Sequence, residues 1–133
     1  MKYFTINELI RSDTARIKCI DNPPSTDIVA ALTRLIYNIL DPIRERWGNP
    51  IRVNSGYRCP VLNKAVKGSV TSQHLKGEAA DITTGSKEGN KKLFELIQTL
   101  DLPFDQLIDE KNYSWLHISH RKDNNRRQVL HLK

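Results

Sequence analysis

The sequence lacks the features that mark a membrane protein or a protein exported by its own leader. No stretch approaches 18 consecutive apolar residues, so we expect no membrane span. Residues 1–8 lack the apolar run of a signal peptide, which predicts synthesis in the cytoplasm. A role outside the cell then requires a separate route of release.

Cysteine is also scarce. The chain has two cysteines, Cys19 and Cys59, which lie 40 residues apart and belong to no CxxC pair. This spacing gives no indication of a cysteine zinc site. In a reducing compartment, both are expected to be free thiols.

The remaining composition is that of an ordinary globular protein. The 133 residues are 38% hydrophobic and 27% charged, which fits one domain with one core. The net charge is +6, but residues 121–133 alone carry +4. Such a basic tail is either a solvated end or a contact for an anionic polymer. Because the basic residues form no stripe interleaved with aromatics, the sequence does not favour a nucleic-acid partner.

Apolar periodicity divides the chain into a helical first part and a mixed remainder. Apolar positions at 3.6-residue spacing over residues 26–47 predict the longest helix, which Pro42 is expected to kink and Gly48 to end. The pattern then predicts short strands, a short helix over residues 60–67 that begins at Pro60, and a helix over residues 88–99. The expected strands are residues 51–53, 79–83, 104–110 and 115–120, with a last edge strand at 129–132.

Helices followed by strands predict a small single α+β domain over residues 1–133, with N-terminal helices packed on a short, mainly antiparallel sheet. We divide it into a helical part (residues 1–48), a core that carries the motifs (residues 50–120) and a basic tail (residues 121–133).

Two histidines stand in positions that suit metal binding. His74 precedes Asp81 in a polar loop that leads into a strand, and His117 lies in a strand on the face opposite to its apolar neighbours. Two imidazoles, one carboxylate and an open fourth position form a zinc site of the catalytic type. The spacing alone fits unrelated polar positions as well, because His-x6-Asp is not a specific motif.

Three segments taken together are more specific. They are Ser55-Gly56-Tyr57-Arg58, Ser72-x-His74-x2-Gly77-x-Ala79-x-Asp81 and Trp115-x-His117. This set closely resembles the zinc D-alanyl-D-alanine carboxypeptidase family, the M15 peptidases, and in particular the short single-domain enzymes with which phages and prophages lyse cell walls. The resemblance implies a zinc cofactor, peptidoglycan stem peptides as substrate, and release to the cell wall through a holin-type pore.

The resemblance also implies roles for individual residues. His74, Asp81 and His117 match the three zinc ligands. Arg58 matches the arginine that binds the substrate carbonyl or carboxylate and stabilises the developing oxyanion. Ser72 matches a residue that often lines the substrate pocket, although a serine in a loop commonly satisfies local backbone groups instead.

The general base departs from the family pattern. Many members carry an Asp or Glu three residues before the last histidine ligand, and here that position is Ser114. A hairpin loop of two or four residues pairs Glu110 with Trp115, which places Glu110 on the face of His117 and Asp109 on the opposite face. Glu110 is therefore the candidate base. Trp115 is a candidate wall of the substrate cleft, although a tryptophan beside a hairpin often packs instead.

The sequence is therefore interpreted as that of a zinc-dependent peptidase that hydrolyses stem peptides at a D-Ala-D-Ala or an L-Ala-D-Glu bond. The alternative is a non-catalytic, zinc-containing module of the same fold that binds the cell wall or has a structural role, because Ser114 replaces the usual acid. The sequence leaves the oligomeric state open.

Overall fold

The N-terminal helices begin at capping residues in the computed structural model, which describes residues 1–133. The side chains of Thr5, Ser12 and Ser25 each accept a hydrogen bond from the backbone N–H three residues later, which satisfies a donor that the first helical turn leaves free. Thr5 and Glu8 also form a capping box, because the Glu8 side chain accepts in turn from the backbone N–H of Thr5. The helices are α1 (Ile6–Ile10), α2 (Asp13–Ile17), α3 (Thr26–Leu35) and α4 (Asp41–Trp47).

A turn of π-helix, Ile36–Leu40, joins α3 to α4. Pro42 has no N–H and cannot continue the ordinary helical pattern at this point. The wider π turn accommodates the missing N–H of Pro42. In this turn the N–H of Asp41 donates to the carbonyl of Ile36, and the helix then continues to Trp47. The disruption that the sequence predicts at Pro42 therefore takes the form of a π turn. Gly48 ends the helix in the left-handed conformation, at φ +80°.

The second half of the chain supplies a mixed five-stranded sheet. The strands are β1 (Arg52–Ser55), β2 (Ala79–Thr83), β3 (Gln106–Glu110), β4 (Trp115–Ser119) and β5 (Gln128–Leu132). Their spatial order is β1-β2-β4-β3-β5. The pairs β1–β2, β2–β4 and β4–β3 are antiparallel, and only β3–β5 is parallel. The predicted α+β class and the mainly antiparallel sheet are confirmed.

The core lies between the sheet and the helices. Alternation along β4 turns Leu116 and Ile118 into the core, where both are fully buried. Facing them is the apolar side of the long helical path, with the buried residues Leu32, Leu35 and Ile39. Helix α6 (Lys87–Thr99), which Ser86 caps, covers β3 and β4, and α5 (Pro60–Ala65) and a 3₁₀ turn (Gln73–Lys76) carry the intervening loops.

None of the helices combines the length and the hydrophobicity that a membrane-spanning segment needs. Cys19 is exposed, Cys59 is half-buried, and both are free thiols.

The interpretation of residues 121–133 as a solvated end is wrong, and the prediction of an edge strand within them is confirmed. Strand β5 pairs in parallel with β3 along its whole length. Ahead of it, Arg126 makes a two-pronged ion pair with Asp105 through Nε (3.0 Å) and Nη2 (2.8 Å). Asp105 is 0% exposed, so its carboxylate depends on this partner. The basic tail thus compensates a buried acid of the core.

We expect Arg126→Gln to lower the Tm by several degrees, whereas Lys122→Gln, which removes the same charge from an exposed side chain, leaves it unchanged. Burial alone would raise the pKa of Asp105, but Arg126 outweighs it and holds the pKa below its ordinary value of 3.8. The stabilisation is therefore complete above the pKa of the unfolded chain and is lost as the pH falls through the lower folded pKa. Urea unfolding from pH 7 to pH 3 tests this: a gap between wild type and variant that does not shrink in acid would contradict it.

Candidate metal centre

Three of the predicted site residues meet on one face of the sheet. Oδ1 of Asp81 lies 3.3 Å from Nε2 of His74 and 3.1 Å from Nδ1 of His117. The donor atoms of the three side chains all lie within 4.8 Å of one another. His74 is buried, and only 12–14% of the His117 and Asp81 side chains is exposed. The cluster is therefore largely shielded from solvent.

Strand pairing brings Asp81 and His117 together. The two residues are direct partners across the antiparallel pair β2–β4, and directly paired side chains stand on the same face. His74 arrives from the 3₁₀ turn that precedes β2, and Gly77 ends that turn at φ +71°, a conformation that favours glycine. The register of the β2–β4 pair thus brings together Asp81 and His117, which lie 36 residues apart in sequence.

The orientation of His74 is fixed by a backbone carbonyl. Its Nδ1 lies 2.7 Å from the carbonyl oxygen of Gly56, and since a carbonyl can only accept, Nδ1 carries the proton and donates. In the neutral ring, Nε2 then presents its lone pair to the carboxylate of Asp81. Two electron-rich atoms at 3.3 Å require a cation between them, either a proton on the ring or a metal ion.

This arrangement suits a metal. Two imidazoles and one carboxylate are zinc donors. Donors bound at about 2 Å to a tetrahedral zinc lie roughly 3.3 Å apart, which matches the two separations from Asp81. The hydrogen bond from Nδ1 of His74 to Gly56 is the outer contact that orients a histidine ligand. The His74, Asp81 and His117 cluster could therefore hold a metal ion.

The electrostatics of Asp81 follow from its neighbours. Burial alone would raise the pKa of this carboxyl, but the imidazoles of His74 and His117 outweigh the burial and hold the pKa well below its usual range. These contacts favour the carboxylate form of Asp81, which is the form that can bind a metal ion.

Arg58 stands beside Asp81 and is held in place by its other contacts. Its Nη2 lies 3.7 Å from Oδ2 of Asp81, while Nε donates to Oγ of Ser55 at 3.1 Å and Nη1 donates to Oδ1 of Asn63 at 3.0 Å. Burial lowers the pKa of Arg58, and the carboxylates of Asp81 and Glu110 partly offset this effect. Gly68 allows the packing: a Cβ there would lie 2.6 Å from Nη1 of Arg58.

The other predicted residues line the same cleft, whose volume is about 500 Å³. Glu110 pairs with Trp115 in the β3–β4 hairpin, so the register that loop parity predicts is confirmed. Nε1 of Trp115 donates to Oε2 of Glu110 at 3.0 Å. Ser72 also lines the cleft, and its Oγ accepts from the backbone N–H of His74 at 3.1 Å, so this hydroxyl supports the turn that carries His74.

Asp109 points away from the cleft, as predicted, and it makes structural contacts there. It is 4% exposed, its Oδ1 accepts from the backbone N–H of Tyr113 at 3.2 Å, and its Oδ2 contacts Nδ1 of His131. His131 lies in β5, and its contact with Asp109 arises from the pairing of β5 with β3. His120 stays off the metal cluster and contacts the carbonyl of Pro103.

Sequence reasoning missed the residues that hold this site in place. Ser55, Gly56 and Asn63 position Arg58 and His74, yet none carries chemistry that a metal or a nucleophile would reveal. The only available signal was that Ser55 and Gly56 belong to the same recognised segment as Arg58, Ser55-Gly56-Tyr57-Arg58. Gln106 and Arg126 also line the cleft, but they could not be placed there before the exact bounds of the strands were known.

Comparison with known proteins agrees with this geometry. A search of curated proteins found no match. A family model described as Peptidase M15 matches residues 2–119 and thus covers the helices, the strands β1–β4 and every residue of the cluster. The chain therefore belongs to the M15 family of metallopeptidases.

Proposed function

We propose that the protein is a zinc-dependent peptidase that hydrolyses peptidoglycan stem peptides at a D-Ala-D-Ala or an L-Ala-D-Glu bond. The observation that carries the proposal is the convergence of His74, Asp81, His117, Arg58 and Glu110 on one cleft. Membership of the M15 family supports the same class of reaction. When bound, a zinc ion supplies a Lewis acid that polarises a carbonyl and lowers the pKa of water.

Arg58 is the proposed contact for the carbonyl oxygen or the terminal carboxylate of the substrate. Ser55 and Asn63 hold two of its three nitrogens. Nη2 has only the distant carboxylate of Asp81 at 3.7 Å, so its N–H groups remain available to a substrate oxygen. A planar guanidinium already fixed in place loses little entropy when it donates. It can therefore stabilise charge that develops on that oxygen.

Glu110 is the proposed general base. It stands diagonal to His117 on the same face of the hairpin and borders the cleft. The indole N–H of Trp115 holds Oε2, which leaves Oε1 to accept a proton. Ser114 stands where many relatives carry an acid, and its Oγ donates to the carbonyl of Lys111 at 2.7 Å, which closes the hairpin turn. Peptidoglycan lies outside the membrane, so this function includes release through a separate pore.

Zinc binding should depend on the three-residue cluster. We expect His117→Ala and Asp81→Asn to weaken zinc binding by more than about tenfold, because each removes a donor. Glu110→Gln should retain the metal, since Glu110 is outside the donor set. Elemental analysis after dialysis against zinc buffers measures the effect. Unchanged zinc content in His117→Ala would show that the metal binds elsewhere.

Arg58→Lys should fold and bind zinc but lose roughly 100-fold in kcat/KM, the effect of removing one oxyanion donor. Lysine keeps the charge but loses the fork that Ser55 and Asn63 hold in place. Arg46→Lys, at an exposed position on α4, is the matched control. The measurement is the release of muropeptide fragments from purified peptidoglycan, followed by mass spectrometry. Near-normal turnover by Arg58→Lys would rule out the proposed role.

Glu110→Gln should lose about 100-fold to 10,000-fold in hydrolysis while it retains zinc. Glutamine preserves the shape and the acceptor for Trp115, so the loss reports proton transfer. Glu88→Gln, on the exposed side of α6, is the control for a lost carboxylate. Asp109→Asn is unsuitable as a control because Asp109 is buried and paired. Full activity of Glu110→Gln would assign the base elsewhere, and zinc binding without any hydrolysis by the wild type would favour a non-catalytic module.

A further inference from the structure

A second cavity adjoins the metal cluster at Asp81, and Glu110 is not part of its lining. Its volume is about 480 Å³, and its lining comes from the start of α2 and from strand β1. Arg58 and Asp81 line this cavity as well as the catalytic cleft, so the two spaces meet at the cluster. Nothing in the proposed reaction uses this second cavity, which we call the β1 pocket.

In the β1 pocket, the acidic side chains have partners within the chain and two of the arginines do not. Its two carboxylates already have partners: Asp13 lies 4.0 Å from Arg16, and Asp81 contacts the imidazoles of the cluster. Arg11 and Arg52 are exposed residues that also line the pocket, and neither guanidinium makes an ion pair or a hydrogen bond within the chain. The pocket therefore presents two unused guanidinium groups, which suit a carboxylate.

The distance between Arg52 and the metal cluster determines which part of a bound peptide can reach the β1 pocket. Arg52 pairs with Thr83, and Asp81 lies two residues back along β2 on the same face. Two residues of extended chain span about 7 Å. A peptide whose scissile bond lies at the cluster would thus bring to Arg52 a group that lies within about two residues of that bond.

We propose that the β1 pocket binds a carboxylate of the substrate through Arg52 and Arg11, and so makes the enzyme select acidic peptides. This inference rests on the proposed function, because it places the scissile bond at the metal cluster. Stem peptides offer two sources of such a group: the free α-carboxylate of the γ-linked D-Glu and the C-terminal carboxylate.

The test uses the synthetic stem peptide L-Ala-γ-D-Glu-L-Lys-D-Ala-D-Ala in three forms: unmodified, amidated at the α-carboxylate of D-Glu, and amidated at the C-terminus. Hydrolysis and equilibrium binding are measured separately on the zinc-loaded protein. We expect one of the two amidations to weaken wild-type binding and raise KM about tenfold, the effect of one lost charged hydrogen bond, with little change in kcat. Which amidation has this effect identifies the source of the carboxylate.

In Arg52→Gln, the unmodified peptide should bind about tenfold more weakly, and the penalty for that amidation should disappear. Arg11→Gln should act in the same direction. Arg46→Gln, which removes an exposed arginine outside the pocket, should behave as wild type.

The outcomes separate this inference from the proposed function. Hydrolysis of all three peptides with equal KM would refute the proposed carboxylate binding in the β1 pocket and would still support the proposed peptidase function. Equal losses for all forms in Arg52→Gln would also refute that binding, since the effect would then be general. Binding that prefers the unmodified peptide and depends on Arg52, without hydrolysis, would support the pocket and refute the peptidase. No binding of any form would refute the pocket.

Discussion

The arrangement of the site depends on the carboxylate of Asp81, which is largely shielded from solvent. A charge removed from water must be compensated by close partners, and here those partners are two imidazoles and a guanidinium. Each comes from a different part of the chain, so the fold must deliver them together. A slip of one residue between β2 and β4 would turn Asp81 into the apolar core. The buried Leu116 and Ile118 on the other face of β4 hold the register against such a slip.

Local patterns were sufficient to predict most of the fold that positions the site. Helix caps at Thr5, Ser25 and Ser86 could be read directly because capping depends only on residues a few positions apart. The face of Glu110 could be derived from loop parity because hairpin pairing is also local. The cluster itself was predicted from the resemblance of three segments to the M15 family, since the spacing of its residues is not periodic and the contacts between β2 and β4 are distant in sequence.

The elements that sequence reasoning misplaced depend on contacts between distant segments. Residues 121–133 have the composition of a solvated end, but the buried Asp105, which lies sixteen residues before Arg121, is the ion-pair partner of Arg121 and Arg126. Parallel pairing of β5 with β3 leaves no hairpin signal to detect. The same pairing gives Asp109 a partner in His131 and so turns an apparently free acid into a structural one.

The contact between Gly56 and helix α1 has a consequence for how the protein tolerates sequence change. A Cβ at position 56 would lie 2.2 Å from the backbone carbonyl oxygen of Leu9, and the neighbouring Tyr57 N–H donates to that same oxygen. Because the obstacle is main chain, no repacking of side chains can make room for a larger residue. The carbonyl of Gly56 also aims the ring of His74. We therefore expect steric exclusion, rather than any chemical role of a side chain, to keep glycine at this position. Through Gly56, which has no side-chain functional group, the N-terminal helix is connected to the metal cluster.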